Sequence, residues 1–600
     1  MAKSGSKKTG KSNVDSKVVP KAGFQSKFPL SPAVKWMIAG SLAVLAILLY
    51  APSAGYDFVY DDDAVIKDNA YVKQGFEGLD EIWKTSYFKG FNENINARAY
   101  RPIPLSTLAI EYEFFGLNPK VHHTTNIILY GLTAFFLFLL MSRMLRSSHW
   151  ILPLMTTFFF VVHPIHIEVV ANIKSRDELL AFLNFVIAAW LLLKSVDSDK
   201  WQWLAAAFIF YSIALFSKES ALTTLAVLPL MLWFFRDLPF RKIALRSAPF
   251  LVAAAFYLIV RSAIVGGINE GVTLTHLDNS LLAAENFSQR VASNLYVLGL
   301  YFFKNIFPNP LLSDYSYSTI PLTNWADYRT WLSVFLYAGL IFVALRGLAA
   351  KWLPAFAIWH FFATVSIFSS VIVLNVSAYN DRFNYNPSLG VCLLIAWLLY
   401  RLIKAEARTT GDFLKKNILL LSIAGLIGLA GVVAIYAQMP MWKDRYALFA
   451  HDVRLAPNNA RMLKNHGGSL ARQAMTEKDP EKRKKYTAEA TEYLERALKI
   501  YFRMGTGHTH LGNMYALQEN WEAAEKAYRN ALSIDSKSFE ATTNLANVCY
   551  RTGRFEEAIQ LMERLDKRRF SQNDYYLLYL AYAKKGDTEK ANYYKPLAGK

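Results

Sequence analysis

Long apolar segments dominate the first 440 residues and most constrain how this chain can fold. Apolar residues make up 53% of the sequence and charged residues only 19%, and the apolar runs approach the ~20 residues that a helix needs to cross a bilayer. Because lipid leaves no backbone polar group a partner outside the chain, such runs form helices. We predict an all-α, polytopic membrane domain with eleven crossings, at 34–51, 126–142, 150–162, 178–193, 201–216, 220–235, 247–265, 330–346, 353–374, 387–403 and 417–437.

The basic residues predict how these crossings are oriented. A net charge of +19 would also suit a nucleic-acid-binding protein, but here the basic residues flank apolar segments, as the positive-inside rule expects. The Lys-rich stretch 1–33 is predicted to be a disordered cytoplasmic tail, and 34–51 an anchor, with a cleaved signal peptide as the alternative. The stretch 291–307 is interpreted as a re-entrant or interfacial helix, which leaves the C-terminus outside.

Nearly all the unusual polar clusters fall in the segments predicted to lie outside. The first is Asp61-Asp62-Asp63, where adjacent carboxylates raise one another's pKa and offer a proton acceptor near neutrality. A solvated or calcium-binding loop is the alternative, and Asp61 with Asp63 is the candidate divalent-cation site. The other clusters are Tyr100-Arg101-Pro102, His122-His123, His163 to Glu168, Lys174 to Glu178, Lys218-Glu219, Asp314-Tyr315 and Asp381-Arg382.

Four of these clusters suggest chemistry at the membrane surface. The guanidinium groups of Arg101 and Arg382 match a phosphate in a two-pronged way, although arginines also reach lipid headgroups in this manner. Lys218-Glu219 is either a buried structural pair or a contact for substrate charge. Three further residues are interpreted as polar groups at a helix start, with a metal site as the alternative: His163, His166 and Glu168.

Residues 455–600 are charged, soluble in character and repetitive. Leu511 and Leu545 are 34 residues apart, as are Trp521 and Phe555, and the text between them alternates two amphipathic helices. This period is typical of tetratricopeptide repeats, which stack into an α-solenoid whose inner curve holds a peptide or protein. We therefore divide the chain into the tail 1–33, a membrane domain 34–440 and a repeat domain 441–600.

The order of the motifs is specific. FVYDDDAVIKDN, AYRPIPLSTLAI, HHTTNIILY, HPIHIEVVANIKSRDELLA, SKESALT, NPLLSDYS and NDRFNYNPSLG precede the repeats. This chain therefore resembles the transmembrane and tetratricopeptide-repeat-containing protein O-mannosyltransferases, which have the C-type glycosyltransferase (GT-C) fold. The resemblance implies an inverting enzyme that moves a sugar, mannose or another hexose, from a polyprenyl-phosphate donor in the membrane to Ser or Thr hydroxyls of acceptor proteins.

The resemblance also implies roles for individual residues. Asp61 is expected to be the general base, supported by Asp62, in an active site facing the periplasm or the lumen of the endoplasmic reticulum. No cofactor is required. The donor phosphate would meet Arg382, Arg101 and Lys218. Supporting or acceptor-contacting residues would be Glu219, His163, His166, Glu168, Asp381 and Tyr385, although the family has Glu where this chain has Asp381.

Two other functions fit the same sequence. The sugar could pass to a lipid or a surface glycan while the repeats bind a regulatory partner. Alternatively, the chain is a membrane scaffold or transporter without enzymatic activity, whose repeats recruit other proteins. Against a transporter, the sequence shows no paired internal symmetry.

Overall fold

The computed structural model describes residues 30–92, 99–266, 274–371, 375–403 and 410–599. Every regular element in these ranges is helical, and none of the residues they contain lies in a β-strand. The all-α prediction is therefore confirmed. The predicted disordered tail 1–33 lies outside the described residues, apart from its last four positions.

The membrane domain contains fifteen α-helices among its described residues. Apolar composition favours these helices, and proline at the first turn helps to start several of them. They are α1 (Pro32–Tyr50), α2 (Leu79–Lys84), α3 (Pro102–Phe115), α4 (Pro119–Met144), α5 (Ile151–Val161), α6 (Ile167–Ala171), α7 (Arg176–Ser198), α8 (Trp201–Ser217), α9 (Thr224–Phe235), α10 (Phe240–Val265), α11 (Phe287–Phe303), α12 (Tyr328–Ala350), α13 (Leu353–Val365), α14 (Tyr385–Tyr400) and α15 (Thr410–Gln438).

Fewer helices than the predicted eleven are long enough to cross a membrane. In the described ranges, six reach the necessary length and apolarity, or seven if the bent pair Ile151–Val161 and Pro164–Ala171 forms one span. Three more apolar helices are shorter: Trp201–Ser217, Glu219–Phe235 and Leu353–Phe368. The apolar stretches at 150–162 and 201–216 stop where the polar clusters at His163 and Lys218 begin, so polar side chains shorten these helices. Helix α11 covers most of 291–307, whose re-entrant placement stays a prediction.

The core of the membrane domain lies around α7, nearly all of whose residues are buried. The outer helices instead carry apolar side chains on their exposed faces. Such surfaces are unusual in water but expected where lipid is the solvent. Examples are Leu251 and Phe256 of α10, Phe335 and Phe342 of α12, and Leu419 and Leu426 of α15.

Opposite charges gather at the end of the bundle that carries the predicted inside loops. The carboxylate of Asp197 accepts hydrogen bonds from Arg143 (2.9 Å), Arg146 (3.0 Å) and Arg236 (2.8 Å). These residues come from three separate loops, all assigned by the sequence to one side. The candidate site residues gather at the other ends of the helices, so the two sets are separate in the structure; the side of the membrane that each set faces stays a prediction.

The C-terminal region is a stack of helix pairs. A first helix, α16 (Arg445–Leu455), joins it to the membrane domain. Gly512 lets the two helices of one pair approach closely, since a Cβ there would stand 2.5 Å from the Tyr528 ring of the partner helix. The pairs are α17 (Ala460–Thr476) with α18 (Pro480–Ile500), α19 (Gly505–Leu517) with α20 (Trp521–Ile534), α21 (Phe539–Arg551) with α22 (Phe555–Glu563), and α23 (Gln572–Lys585) with α24 (Thr588–Leu597).

Backbone and side-chain bonds fasten this stack to the membrane domain. The buried carboxylate of Asp452 accepts hydrogen bonds from the backbone N–H (2.9 Å) and the hydroxyl (2.6 Å) of Ser313. The N–H of Ala460 donates to the carbonyl of Tyr317 at 2.9 Å. One continuous apolar core runs from α1 to Met514 of α19. The first helices of the stack are therefore part of the same packed body as the bundle.

We expect the α13–α14 contact to be intolerant of any added side chain at Gly390. A Cβ there would lie 2.5 Å from the carbonyl oxygen of Ala357, so Gly390→Ala should destabilise the protein by about 1–3 kcal/mol through overpacking. Gly425→Ala is the matched control, because nothing lies within 4 Å of its Cβ position in α15. Thermal unfolding in detergent should show a lower Tm for the first variant only; equal melting would contradict this packing.

Candidate active site

The loop carrying the three carboxylates is held in place by Asp62. This side chain is fully buried, and its two oxygens accept hydrogen bonds from the backbone N–H groups of Val59 (2.9 Å) and Lys174 (2.8 Å). Burial raises the pKa of Asp62 to about 7, although the two N–H donors act to lower it. The charges of Asp61 and Asp63 raise this pKa further. Asp62 therefore ties the loop to the start of α7.

The residues on either side of Asp61 are also held. Tyr60 has a positive φ of 49°, a conformation that few residues other than glycine adopt, and its hydroxyl donates to Asp314 at 3.4 Å. Asp63 forms an ion pair with Arg445 of α16. The loop is thus held at three positions, Tyr60, Asp62 and Asp63, which lie on both sides of Asp61.

Asp61 itself has a different environment. Its side chain is half-buried, and within the described ranges it forms no hydrogen bond or ion pair. A carboxylate held by its neighbours but without a partner of its own is available to accept a proton from a bound molecule. The role predicted for Asp61 stays a prediction; Asp62, by contrast, has both oxygens occupied.

Arg382 lies in the loop before α14, within electrostatic range of Asp61. Its Nη1 donates to Glu168 at 2.5 Å and its backbone N–H to the same carboxylate at 3.1 Å. Burial disfavours the charge of Arg382, but Glu168 and then Asp61 outweigh that effect and raise its pKa. The buried Nε finds no hydrogen-bond partner among the residues described. One face of this guanidinium can therefore bind an anion close to Asp61.

The other predicted phosphate ligands are engaged in ion pairs. Arg101 donates from Nε to Glu219 at 2.8 Å and from Nη1 to Asp177 at 2.6 Å, and its Nη2 also contacts Glu219. Lys218 contacts the buried Asp177 at 3.2 Å, as does Lys174 at 3.4 Å. Lys218 and Glu219 are neighbours in sequence, yet each pairs with a different residue.

Together these groups form a balanced buried cluster. Lys218 also forms an ion pair with Glu178 at 2.7 Å. With this pair, the cluster holds equal numbers of positive and negative groups. The sequence predicts a polar cluster from Lys174 to Glu178, but nothing in it indicates that Asp177 is the centre of that cluster. The cluster contains four carboxylates (Asp177, Glu178, Glu219 and Glu168) and four cations (Lys174, Lys218, Arg101 and Arg382).

Both candidate histidines have structural partners. The Nε2 of His163 lies 2.9 Å from the carbonyl oxygen of Asn305, and its Nδ1 accepts from the N–H of Ile165. The buried ring of His166 lies between the hydroxyls of Tyr130 (3.0 Å) and Ser388 (2.9 Å). In the described part of the chain, no group of three or more His, Cys, Asp or Glu is arranged to hold a metal ion.

Asp381 and Tyr385 also lie deep in the protein. Asp381 accepts hydrogen bonds from the Leu312 N–H (3.0 Å) and from the hydroxyls of Tyr315 (2.8 Å) and Tyr379 (2.9 Å). Burial raises its pKa to about 6. Tyr385 packs edge-on against His166 with ring centroids 4.8 Å apart. Both residues position the loop that presents Arg382.

Fold and site together define an integral membrane protein with a tetratricopeptide array fastened over a buried charge cluster. Residues 515–582 match the tetratricopeptide repeat family model. The chain is 24% identical over 446 residues to a protein O-mannosyl-transferase of Caenorhabditis elegans, which covers 74% of this chain and 61% of that relative. It is 22% identical over 560 residues to protein O-mannosyl-transferase TMTC3 of Homo sapiens (84% and 57%) and 25% identical over 530 residues to TMTC1 of Homo sapiens (79% and 57%).

These findings confirm the resemblance inferred from the motifs. Homologues of this chain, over most of its length, are members of the transmembrane and tetratricopeptide-repeat-containing O-mannosyltransferase family. The chain itself spans about three fifths of the length of the curated relatives it matches.

The position of Asp62 makes a prediction about pH. Because its pKa is raised from about 3.9 in an unfolded chain to about 7 in the folded protein, the folded state binds the proton more tightly. The contribution of Asp62 to stability is therefore complete below about pH 4 and is lost as the pH rises to 7. The Tm difference between wild type and Asp62→Asn should shrink over this range and then level off. A constant difference from pH 4.5 to 8 would contradict it.

Proposed function

We propose that this protein is a membrane glycosyltransferase that moves mannose or another hexose from a polyprenyl-phosphate donor to Ser or Thr hydroxyls of proteins. The observation that carries the proposal is the unpartnered carboxylate of Asp61 beside Arg382, whose Nε also lacks a partner among the described residues. A base and an anion-binding group side by side suit a reaction in which a hydroxyl attacks and a phosphate leaves. The printed names of the relatives, protein O-mannosyl-transferases, support the same class.

In this reaction Asp61 acts as the general base. The acceptor oxygen forms a bond to the anomeric carbon of the sugar while the bond from that carbon to the phosphate oxygen breaks. The proton of the hydroxyl passes to Asp61, and the phosphate departs with the electron pair. A single displacement of this kind inverts the anomeric configuration.

Arg382 stabilises the departing phosphate. Its Glu168 partner orients the guanidinium through Nη1 and leaves Nε free to donate. Arg101 and Lys218 act differently from the sequence-based expectation, since their donors are already committed to carboxylates. In this scheme they contribute mainly by holding the cluster in shape.

The scheme assigns no role to a metal ion. Asp63, the second ligand of the candidate cation site, is paired with Arg445.

The repeats, fastened beside Asp61, hold the acceptor protein over the site. By the charge asymmetry of the loops, this site faces the extracytoplasmic side.

Replacing the proposed base is the direct test. Asp61→Asn should lower the rate of transfer from polyprenyl-phosphate mannose to a Ser-containing peptide by about 10²–10⁴-fold, the usual contribution of a general base. Folding should be unaffected, because Asp61 bonds to none of the described residues. Asp63→Asn is the matched control and should stay within about tenfold of wild type, since Tyr60 and Asp62 still hold the loop when the Asp63–Arg445 ion pair is lost. Undiminished transfer by Asp61→Asn, measured by mass spectrometry of the peptide, would refute the assignment.

Arg382 and Arg101 should respond in different ways. Arg382→Lys keeps a cation beside Glu168 but removes the planar guanidinium with its paired N–H donors. The value of kcat should therefore fall by about 10²-fold, as for the loss of an oxyanion donor. Arg101→Gln should instead lower the Tm, because the buried Asp177 and Glu219 lose their partner. Steady-state rates and thermal melts of both variants separate the two roles; matching kcat losses at unchanged Tm would contradict this division.

A further inference from the structure

One face of α17 carries a stripe of basic residues. Arg461, Lys464 and Arg472 are spaced by three and eight residues, which places them on the same side of the helix with Gly468 between them. Arg461 is engaged, donating to Asp278 at 2.5 Å and to Asp314 at 3.4 Å. The side chains of Lys464 and Arg472 make no hydrogen bond or ion pair with any residue that the structure describes.

The stripe faces the inner side of the repeat stack. A Cβ added at Gly468 would lie 3.0 Å from the His510 ring of α19, and one at Gly507 would lie 3.3 Å from the Lys464 side chain. The two glycines thus let α17 and α19 approach closely, with Lys464 and His510 between them. First helices of successive repeats line the inner curve of such a stack.

This stripe is continuous with the candidate active site. Arg461 holds Asp314, which in turn accepts from Tyr60. Arg472 lies within electrostatic range of Arg445 and Asp63. The stripe therefore runs past the loop that carries Asp61, with Arg461 near Tyr60 through Asp314 and Arg472 near Asp63.

The acids near the stripe do not neutralise it. Asp314 is shared with Arg461, and Asp63 is paired with Arg445. Glu540 of α21 is in range of Arg472 and accepts from Asn513 at 3.4 Å. Burial and the like charges of Arg461 and Arg472 lower the pKa of Lys464 to about 8, as expected for an ammonium group surrounded by cations.

We infer that this basic stripe, Lys464 and Arg472 with His510 beside them, binds acidic side chains of the acceptor protein next to its glycosylated Ser or Thr. The inference rests on the proposed function and specifies its substrate as a segment with Asp or Glu near the acceptor hydroxyl. Arg461 and Arg472 are separated by about 16 Å along the helix. Since an extended chain covers about 3.3 Å per residue, the acidic residues should lie within about five residues of the hydroxyl.

Binding of synthetic peptides tests this without relying on catalysis. Two fluorescein-labelled 15-residue peptides share one Ser and differ only in two flanking residues, Asp and Glu in one and Asn and Gln in the other. With the full chain in discs of zwitterionic phosphatidylcholine, fluorescence anisotropy should give a Kd about tenfold lower for the acidic peptide, as two exposed charge pairs predict. Raising the salt concentration should narrow the gap.

Charge reversal supplies the variant and its control. Lys464→Glu combined with Arg472→Glu should abolish the preference and favour a peptide carrying two lysines. Lys537→Glu combined with Arg564→Glu changes the net charge equally, on exposed residues of later repeats, and should keep the wild-type preference. In transfer assays the reversal should raise KM for the acidic peptide while kcat changes little.

The outcomes separate this inference from the proposed function. A charge-selective Kd without any sugar transfer would support the stripe and refute the enzyme. Transfer with equal Kd and KM for both peptides would support the enzyme and refute the stripe. A difference between wild type and the reversed chain that occurs only in discs containing phosphatidylglycerol would show that the stripe contacts lipid, and would also refute the inference.

Discussion

Neutralisation of buried charge at one end of the helix bundle is the constraint on which the candidate site depends. Asp177 is fully buried and touches three cations from three segments of the chain, Lys174, Lys218 and Arg101. Removing one member of such a cluster leaves an uncompensated charge, at about 3–5 kcal/mol. The loop before α3, the start of α7 and the corner between α8 and α9 are therefore held together. Glu168 does the same for Arg382 and the loop before α14.

This charge balance leaves two groups with capacity for a ligand. Four cations match four carboxylates inside the cluster, so Asp61 is an additional negative charge at its edge. The other polar groups of the loop around Asp61 make structural contacts. Asp62 accepts hydrogen bonds from two backbone N–H groups, Asp63 forms an ion pair with Arg445, and the Tyr60 hydroxyl donates to Asp314. The buried Nε of Arg382 has no hydrogen-bond partner among the described residues. A base and an anion-binding group thus lie within electrostatic range of each other, as the proposed hydroxyl-to-sugar transfer requires.

Much of this arrangement could be predicted from the sequence, and the rest could not, for physical reasons. The 34-residue period fixed the repeats, and the loop charges separated Asp197 and its arginines from the acidic clusters. The lengths of the helices were harder to predict, because a polar turn such as the one at Lys218 ends a helix without changing the composition of the apolar segment before it. The hydrogen-bond partners of individual side chains were the hardest feature to predict. Nothing local shows that Asp62 meets the backbone of Lys174, or that His163 meets Asn305, since such contacts depend on how distant segments pack.

The junction between bundle and repeats decides how a bound acceptor would meet the site. Asp452 of α16 is buried against Ser313, and Ala460 bonds to Tyr317, so the first repeat is attached through backbone donors as well as side chains. The shared apolar core extends as far as α19. A module on a flexible linker would raise only the local concentration of the acceptor. A module packed in this way also fixes the direction from which a peptide chain arrives. Since α17 begins beside Asp314 and the Tyr60 hydroxyl, an acceptor bound as proposed would lie along the basic face of α17, next to the loop of Asp61.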